Sequence, residues 1–322
     1  MTSTWVALAI LAVLLAWPVP ILLARASWPS RAPGTALFVW QSIALAGGLS
    51  MIGALLSYGL QPFGDSLVAG IVAVPHYLGR GILPPGADFS QMFALSGAVL
   101  LGAHLLLTLG LTFARAERSR RRHRQLVALL SSPMPERPGT RLLDHEAPVA
   151  YCLPGTTTSI TVLSAGLMSL LDEEQLRAVI LHETAHATQR HHLVLLAFRA
   201  WRGSLPWFPI ATRALDAVTV LVEMLADDHA RHSVTDETLV RSIALVALEA
   251  ADGRADDSPV GPAGSPSLAV DSPTANKRIA RLLDGRAPLA PPARALSILS
   301  AVALVAVPTV LLVVPVFVPA FA

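Results

Sequence analysis

The sequence predicts a mainly α-helical membrane protein, in which four transmembrane helices frame an α+β domain inserted between the third and the fourth. Three observations predict this class. Only 14% of the 322 residues are charged and 53% are hydrophobic, whereas soluble domains carry about a quarter charged residues. Four apolar stretches each have about the 20 residues that cross a bilayer. Between the last two stretches, a β-branched run precedes several strongly helical segments.

The apolar stretches define the membrane part. They lie at about 4–24, 35–60, 92–114 and 295–321. The first has no basic residues before it and three similar stretches follow, so we expect an uncleaved span rather than a signal peptide. The predicted organisation is 1–114 with three spans, 115–293 with the inserted domain, and 294–322 with the fourth span. We interpret His104, inside the third span, as hydrogen-bonded to a neighbouring helix.

A block of arginines after the third span predicts the orientation. Residues 115–125 read "RAERSRRRHRQ", and arginine-rich loops stay on the cytoplasmic side. We therefore expect a plasma-membrane protein with residues 115–293 in the cytoplasm and both termini outside. The net charge of only +2 indicates no nucleic-acid partner. At a membrane boundary the block is better explained by attraction to the lipid bilayer, whose inner leaflet is anionic. The apolar run 67–75 is too short to span and is a re-entrant or an interfacial segment.

The inserted domain begins with a predicted strand. "SITVL", 159–163, is β-branched and follows a Pro-Gly turn, and "SAGLMSLL" after it turns into a helix. Asp172 with Gln175 forms a capping-box-like start for one long helix over about 173–200, which contains no glycine or proline. Cys152, the only cysteine, is interpreted as a core or strand residue. Further helices are predicted at about 211–231, 235–251 and 274–283, with a Gly- and Pro-rich linker over 251–273.

The long helix contains "LHETAHATQRHH", residues 181–192. His182 and His186 are four apart, so both imidazoles project from one helix face. Two ligands on one face can meet a single zinc ion, and Glu183 next to the first can reach a water on that ion. Zinc lowers the pKa of such a water to about 7, where a carboxylate can take its proton. The spacing therefore indicates a Zn²⁺-dependent hydrolase.

A catalytic zinc needs a third protein ligand. "EMLAD", 223–227, supplies Glu223 in an otherwise apolar helical run, where an unpaired carboxylate is costly. Metal ligation removes that cost, so we predict Glu223 as the third ligand. Asp227 lies one turn later on the same face, where it can orient a ligating histidine.

These residues resemble the gluzincin metallopeptidases, in which HExxH on one helix is followed by ExxxD on a second. The order of three spans, a zinc domain and a fourth span is similar to the BlaR/MecR-type membrane metallopeptidases, and the HtpX and CAAX-prenyl-protease group is similar too. The likeness is motif-specific over 159–192, 223–230 and 271–282. BlaR/MecR-type sensors continue into an extracellular penicillin-binding domain, whereas this chain stops at Ala322, so we expect a short form without that sensor.

The resemblance implies a membrane-anchored endopeptidase that cleaves a cytoplasmic or membrane-proximal protein, such as a transcriptional repressor in a signalling response. Within "DSPTANKRIARL" it places Arg278 as a candidate site-lining residue. His229 and His232 are further candidates, although a surface or structural role is the simpler interpretation of all three. The edge of the "SITVL" strand could hold the substrate by strand addition.

The remaining histidines of the opening stretch receive no ligand role. His192 stands six residues after His186, where a metzincin has its third histidine, but Gln189 replaces the glycine which that pattern requires. We therefore interpret His191 and His192 as lying behind the ligands or facing solvent.

Three other interpretations stay open. A quality-control protease similar to HtpX has the same motifs and a broad substrate range. An intramembrane site-2-type protease would use the tripeptide "LDG" at 283–285, which here lies in a segment too charged for a span. A non-proteolytic membrane receptor or scaffold could retain a metal site, but a structural zinc is normally four-coordinate.

Overall fold

A computed structural model of the chain describes residues 2–153, 160–206, 208–252, 272–285 and 287–317. The helices are α1 (Thr2–Ala16), α2 (Pro18–Arg25), α3 (Pro33–Gly59), α4 (Leu67–Arg80), α5 (Phe89–Leu130), α6 (Ala165–Leu170), α7 (Glu173–Thr188), α8 (His191–Ser204), α9 (Pro209–Ala230), α10 (Asp236–Asp252), α11 (Ser272–Leu283) and α12 (Pro291–Phe317). The strands are β1 (Ser131–Pro133), β2 (Thr140–Leu143), β3 (Ala150–Leu153) and β4 (Ile160–Ser164). Most of the predicted linker 251–273 lies outside the described residues.

The chain divides into two compact units. The first consists of Met1–Thr108, Gly203–Ala214 and Leu289–Ala322, and the second of Leu109–Arg202 and Leu215–Pro288. The first unit holds α1 to α4 and α12, and the second holds the sheet and α6, α7, α10 and α11. The apolar stretches therefore fall in the first unit, except for the end of the third, and the metal-ligand motif falls in the second.

Among the described residues, four helical segments are long and apolar enough to cross a membrane, which is compatible with a membrane protein. They are Ser3–Arg25, Pro33–Gly59, Phe89–Leu130 and Pro291–Val313. The first is broken at Trp17, where Pro18 starts a new helix. The third does not end at residue 114, because the straight-chain arginines of the basic block continue the helix to Leu130.

Small residues allow the apolar helices of the first unit to approach closely. A Cβ added to Gly53 of α3 would lie 2.9 Å from a methyl group of Leu312 and 3.3 Å from one of Leu8, so α1, α3 and α12 meet at this glycine.

The short apolar run 67–75 forms the first part of α4, which Ser66 caps. The prediction for His104 is confirmed, since its Nε2 atom lies 3.0 Å from the carbonyl oxygen of Ser204 on α8.

The second unit contains a four-stranded sheet with the order β1-β2-β4-β3. Strand β4 is the predicted "SITVL" strand, and it pairs with β2 in parallel and with β3 in antiparallel register. The prediction that a substrate adds to its edge is therefore wrong, because both edges of β4 are already hydrogen-bonded. The other three strands have three or four residues each, too few to show a period-2 pattern in the sequence.

The predicted helix over 173–200 is two helices, which corrects the sequence interpretation. Helix α7 ends at Thr188 and α8 begins at His191, with Arg190 at a φ of 53°. This left-handed conformation is rare for a residue with a Cβ. The sequence has no glycine or proline at this break, so helix propensity alone favours an uninterrupted helix.

Helix α7 lies between two apolar clusters of the second unit. Val179 packs with Leu163 and other residues of the sheet side, and Ala178 packs with Leu239 and Ile243 of α10. The predicted capping box is confirmed: the Asp172 side chain accepts from the amide of Gln175, and the Gln175 side chain accepts from the amide of Asp172. Helices α9, α10 and α11 agree with the predicted ranges to within one or two residues. The cap and both clusters hold α7 in place.

Candidate metal centre

Six polar side chains of the second unit, carried by three helices, lie close together. Helix α7 contributes His182, Glu183 and His186, α9 contributes Glu223 and Asp227, and α11 contributes Arg278. Their exposed fractions are between 0% and 7%. Charged side chains are almost never buried this deeply unless they are paired. These six side chains therefore form a buried polar site and do not belong to a solvent-exposed helix face.

The donor atoms of His182, His186 and Glu223 have the separations that a tetrahedral metal ion needs. The two Nε2 atoms lie 3.1 Å apart. The Nε2 atom of His182 is 3.3 Å from Oε2 of Glu223, and that of His186 is 3.6 Å from Oε1. Donors bonded at 2.0–2.1 Å to a tetrahedral Zn²⁺ stand about 3.3 Å apart. The three side chains can therefore hold one metal ion.

Charge and hydrogen bonding in the cluster also fit a divalent cation. Once His182 and Glu183 have lost their protons, the carboxylates of Glu183, Glu223 and Asp227 and the guanidinium of Arg278 together carry the two negative charges that balance such an ion. Both carboxylate oxygens of Glu223, Oε1 of Glu183 and Nη1 of Arg278 have no hydrogen-bond partner among the described residues. Uncompensated buried charge and unsatisfied buried oxygens are costly. A doubly charged ion held by His182, His186 and Glu223 would coordinate a carboxylate oxygen of Glu223 that has no hydrogen-bond partner among the described residues.

Asp227 and Arg278 orient the first ligand. The Nδ1 atom of His182 lies 3.0 Å from Oδ1 of Asp227, so an Nδ1–H donates to the carboxylate and the Nε2 lone pair faces the other donors. Arg278 donates to both Asp227 oxygens, at 2.6 and 2.8 Å, and its Nη1 atom lies 3.3 Å from Glu223. The sequence predicts a surface or structural role for Arg278, and a surface position is excluded by the structure. The structure places it fully buried behind the ligands.

The charges of this arrangement shift the pKa values of its members. Burial and Arg278 lower the pKa of His182, but the Asp227 and Glu223 carboxylates outweigh them and raise it to about 9. Burial raises the pKa of Glu223, yet the charges of His186, His182 and Arg278 bring it down to about 2. Glu223 is thus an anion, and a cation that binds here must displace the proton of His182.

Glu183 is held next to the sheet. Its side chain is 1% exposed, and the backbone amide of Cys152 on β3 hydrogen-bonds to its carboxylate. Burial raises the pKa of Glu183 to about 8, against the lowering effect of His182. A carboxyl group with a pKa near neutrality can both accept and release a proton. Cys152 itself is a buried strand residue as predicted, with its thiol 3.2 Å from the hydroxyl of Thr161.

The other histidines separate into two groups. His191 is 2% exposed, and its Nδ1 atom lies 3.0 Å from Nδ1 of His186. It therefore contacts the cluster on the side of His186 that faces away from the other metal donors. His192 is half-buried. His229 and His232 are exposed, and their rings are tilted against each other by 50° with centroids 6.4 Å apart. Neither of these two reaches the cluster, so their role as site-lining candidates has no support in the geometry.

Fold and donor set together define a candidate metallopeptidase centre in a chain whose apolar helices are compatible with a membrane protein. Residues 114–247 match the family described as Peptidase family M48. The matched range includes α7 with His182, Glu183 and His186 and α9 with Glu223. The match supports a gluzincin-type metallopeptidase. Comparison with curated proteins and with solved structures gave no match.

Proposed function

We propose that this protein is a membrane-anchored, zinc-dependent endopeptidase that hydrolyses peptide bonds of a cytoplasmic or membrane-proximal protein. The observation that supports it most is the placement of three metal donors at tetrahedral separations beside the buried carboxylate of Glu183. Among the described residues the donor group consists of two histidines and a glutamate, which leaves one coordination position open, as catalytic zinc sites require. A structural site would close that position with a fourth ligand.

Zinc is the metal that this donor set favours. Imidazole and carboxylate donors in a tetrahedral arrangement suit Zn²⁺, whereas Mg²⁺ and Ca²⁺ prefer six or more oxygens. When bound, the ion supplies Lewis acidity to a water and to the scissile carbonyl group. His182, His186 and Glu223 would hold it, and the remaining residues have separate tasks.

Glu183 is the proposed general base. Its Oε1 atom has no hydrogen-bond partner among the described residues and is free to accept the proton of the attacking water. The same carboxyl group then releases that proton to the nitrogen of the leaving amine. The Cys152 amide restricts the rotation of the carboxylate, and Asp227 with Arg278 holds His182 in one orientation. Burial of the cluster excludes bulk water from competing with these contacts.

The apolar helices supply the proposed anchoring in the bilayer. Segment Phe89–Leu130 combines an apolar window of span length with the arginine block 115–125, and arginines next to a span favour the cytoplasmic side. On this basis we propose that residues 115–293 lie on the cytoplasmic side of the plasma membrane and that both termini lie outside. Substrates are then proteins that come close to the inner leaflet, transcriptional repressors among them.

The test compares cells that express the wild-type protein with cells that express Glu183→Gln. Mass spectrometry of protein N-termini is expected to find peptides that are present with the wild type and absent with the variant. The substitution keeps the shape of the side chain but removes the base, while the metal ligands stay in place. Purified Glu183→Gln in detergent is therefore expected to bind one Zn²⁺ per chain, as the wild type does.

Glu174→Gln is the matched control, since Glu174 is an exposed glutamate of the same helix. This variant should give the wild-type set of N-termini. Identical N-termini for wild type and Glu183→Gln would contradict the endopeptidase proposal. Many unrelated substrates, mainly membrane proteins, would favour quality control, and one repressor would favour signalling.

A further inference from the structure

The buried ring of His191 contacts the candidate metal ligand His186. Its ring is 2% exposed, and both ring nitrogens are engaged: Nδ1 lies 3.0 Å from Nδ1 of His186, and Nε2 lies 3.0 Å from Oε1 of Gln189. Buried ring nitrogens generally have hydrogen-bond partners, and what distinguishes His191 is that one of its partners is the candidate metal ligand His186. The contact is made on the side of His186 that points away from the other donors, so His191 is not itself a ligand.

We infer that His191 is a positioning residue that fixes the ring of His186 as an Nε2 metal ligand. This inference rests on the proposed metal centre. The Nε2 atom of His186 faces Nε2 of His182 at 3.1 Å, and it must keep its lone pair free to bind a cation. The ring proton of His186 then sits on Nδ1 and needs an acceptor there.

The proton positions follow in sequence from this requirement. His186 Nδ1–H donates to the Nδ1 lone pair of His191, which places the His191 proton on Nε2. That Nε2–H donates to Oε1 of Gln189, an oxygen that can only accept. With the opposite tautomer of His191, two N–H groups would face each other across 3.0 Å. Gln189 therefore selects the tautomer of His191, and His191 selects that of His186.

The break between α7 and α8 makes this contact feasible. In an uninterrupted helix, position 191 would lie about 140° around the axis from position 186. The left-handed Arg190, with its φ of 53°, ends that progression and turns His191 back towards α7. Unusual backbone of this kind persists where surrounding contacts determine it. The contacts of the buried His191 ring with His186 and Gln189 are surrounding contacts of this type at the turn.

The two histidine ligands are thus oriented by different chemistry. His182 donates to the carboxylate of Asp227, which itself is held by Arg278. His186 donates to a neutral imidazole instead. Groups that accept from a metal-ligating histidine usually affect metal affinity by about 10- to 100-fold. His191 should therefore matter for metal binding without contacting the metal.

The experiment measures the Zn²⁺ affinity of the full-length protein in detergent, by competition with a chelator. His191→Phe keeps a planar ring of similar size but removes the acceptor, and we expect it to weaken Zn²⁺ binding by about 10- to 100-fold. His191→Asn retains an acceptor close to the position of Nδ1 and should restore most of the affinity. His192→Phe, at the half-buried neighbouring histidine, should leave the affinity unchanged.

A spectroscopic readout separates positioning from a general loss of structure. Co²⁺ in place of Zn²⁺ reports the ligand geometry through its visible absorption, which should change with His191→Phe and return with His191→Asn. Wild-type affinity and an unchanged spectrum for His191→Phe would overturn the inference. A loss that His191→Asn does not restore would do so as well, because it would indicate a packing role.

If His191→Phe does not fold, Gln189→Leu serves as the second variant. Gln189 is exposed, so its replacement leaves the core intact while removing the acceptor of His191 Nε2–H. A weaker Zn²⁺ affinity supports the inference and an unchanged one overturns it. Failure of the proposed metal centre gives a different result: the wild type itself would then bind no Zn²⁺, or His182→Ala would bind as tightly as the wild type. Failure of the proposed peptidase activity alone would leave these Zn²⁺ affinities unchanged.

Discussion

The Nδ1 atom of His182 lies 3.0 Å from Oδ1 of Asp227, with both side chains fully buried. His182 and Asp227 are 45 positions apart in the chain, and their contact joins α7 to α9. Because Asp227 accepts at Nδ1, His182 presents Nε2 to Glu223. Most properties expected of the centre depend on this contact.

Asp227→Asn tests the contact directly. Asparagine keeps an acceptor oxygen but loses the negative charge that makes His182 a stronger ligand, so Zn²⁺ affinity should fall by about 10- to 100-fold. Chelator competition with the purified protein measures the change. Asp228→Asn is the control, because Asp228 is half-buried and pairs with arginines on the outer side of α9. Equal affinities of the two variants would contradict the assigned role of Asp227.

Arg278→Met should destabilise the second unit. The guanidinium is 0% exposed and lies between Asp227 and Glu223, and removal of one partner of a buried ion pair costs about 3–5 kcal/mol. The free energy of unfolding of the metal-free protein, from denaturant titration in detergent, measures the loss. Arg231→Met removes an exposed pair with Asp236, which contributes about 0–1 kcal/mol. Similar losses for both variants would show that Arg278 is not a central structural charge.

Gly166→Ala should disrupt the corner between β4 and α6. A Cβ at position 166 would overlap the carbonyl group of Glu146, and the amide of Gly166 donates to the carbonyl oxygen of His145 at 3.0 Å. Because backbone cannot move aside as a side chain does, we expect a loss of about 1–3 kcal/mol in unfolding free energy. Thermal unfolding in detergent detects it as a lower melting temperature.

Gly97→Ala provides the comparison for that prediction. Gly97 lies within α5, and among the described residues no atom beyond its chain neighbours and the nearby backbone of its own helix lies within 4 Å of an added Cβ. Alanine is also the better helix former. The melting temperature should therefore stay unchanged or rise. A melting temperature for Gly166→Ala at or above that of the wild type would refute the steric argument.

Asp172→Ala should weaken the start of the helix that presents the ligands. The substitution removes the acceptor for the Gln175 amide, which is 2.8 Å from Oδ1 of Asp172, and loss of such a cap costs about 0.5–2 kcal/mol. Hydrogen exchange should accelerate in the first turn of α7, while Zn²⁺ binding at His182 three turns later is retained. Glu173→Gln leaves the cap in place, so its first turn should exchange at nearly the wild-type rate. Unchanged exchange for Asp172→Ala would contradict the capping role.

The features that the sequence predicts correctly depend on neighbours along the chain. The capping box at Asp172, the spacing of His182 and His186, and the helix bearing Glu223 follow from helix periodicity. The apolar segments follow from composition in the same way, and their four-span arrangement in the membrane stays a prediction. Such patterns can be recognised in a single sequence because all the residues that form each of them lie within a few helical turns of one another.

What only the tertiary structure decided concerns contacts between distant segments. No local pattern requires Arg278 to lie behind Asp227, or Cys152 to direct its amide at Glu183. Sheet order placed β4 in the interior, although its sequence alone also suited an edge. The end of α7 also depends on tertiary contacts. Residues 189–191 have no helix-breaking side chain, and the turn at Arg190 is accompanied by the buried contact between His191 and His186. Pairing of buried polar groups is a property of the folded core, and at these positions it outweighs the local preference of the chain.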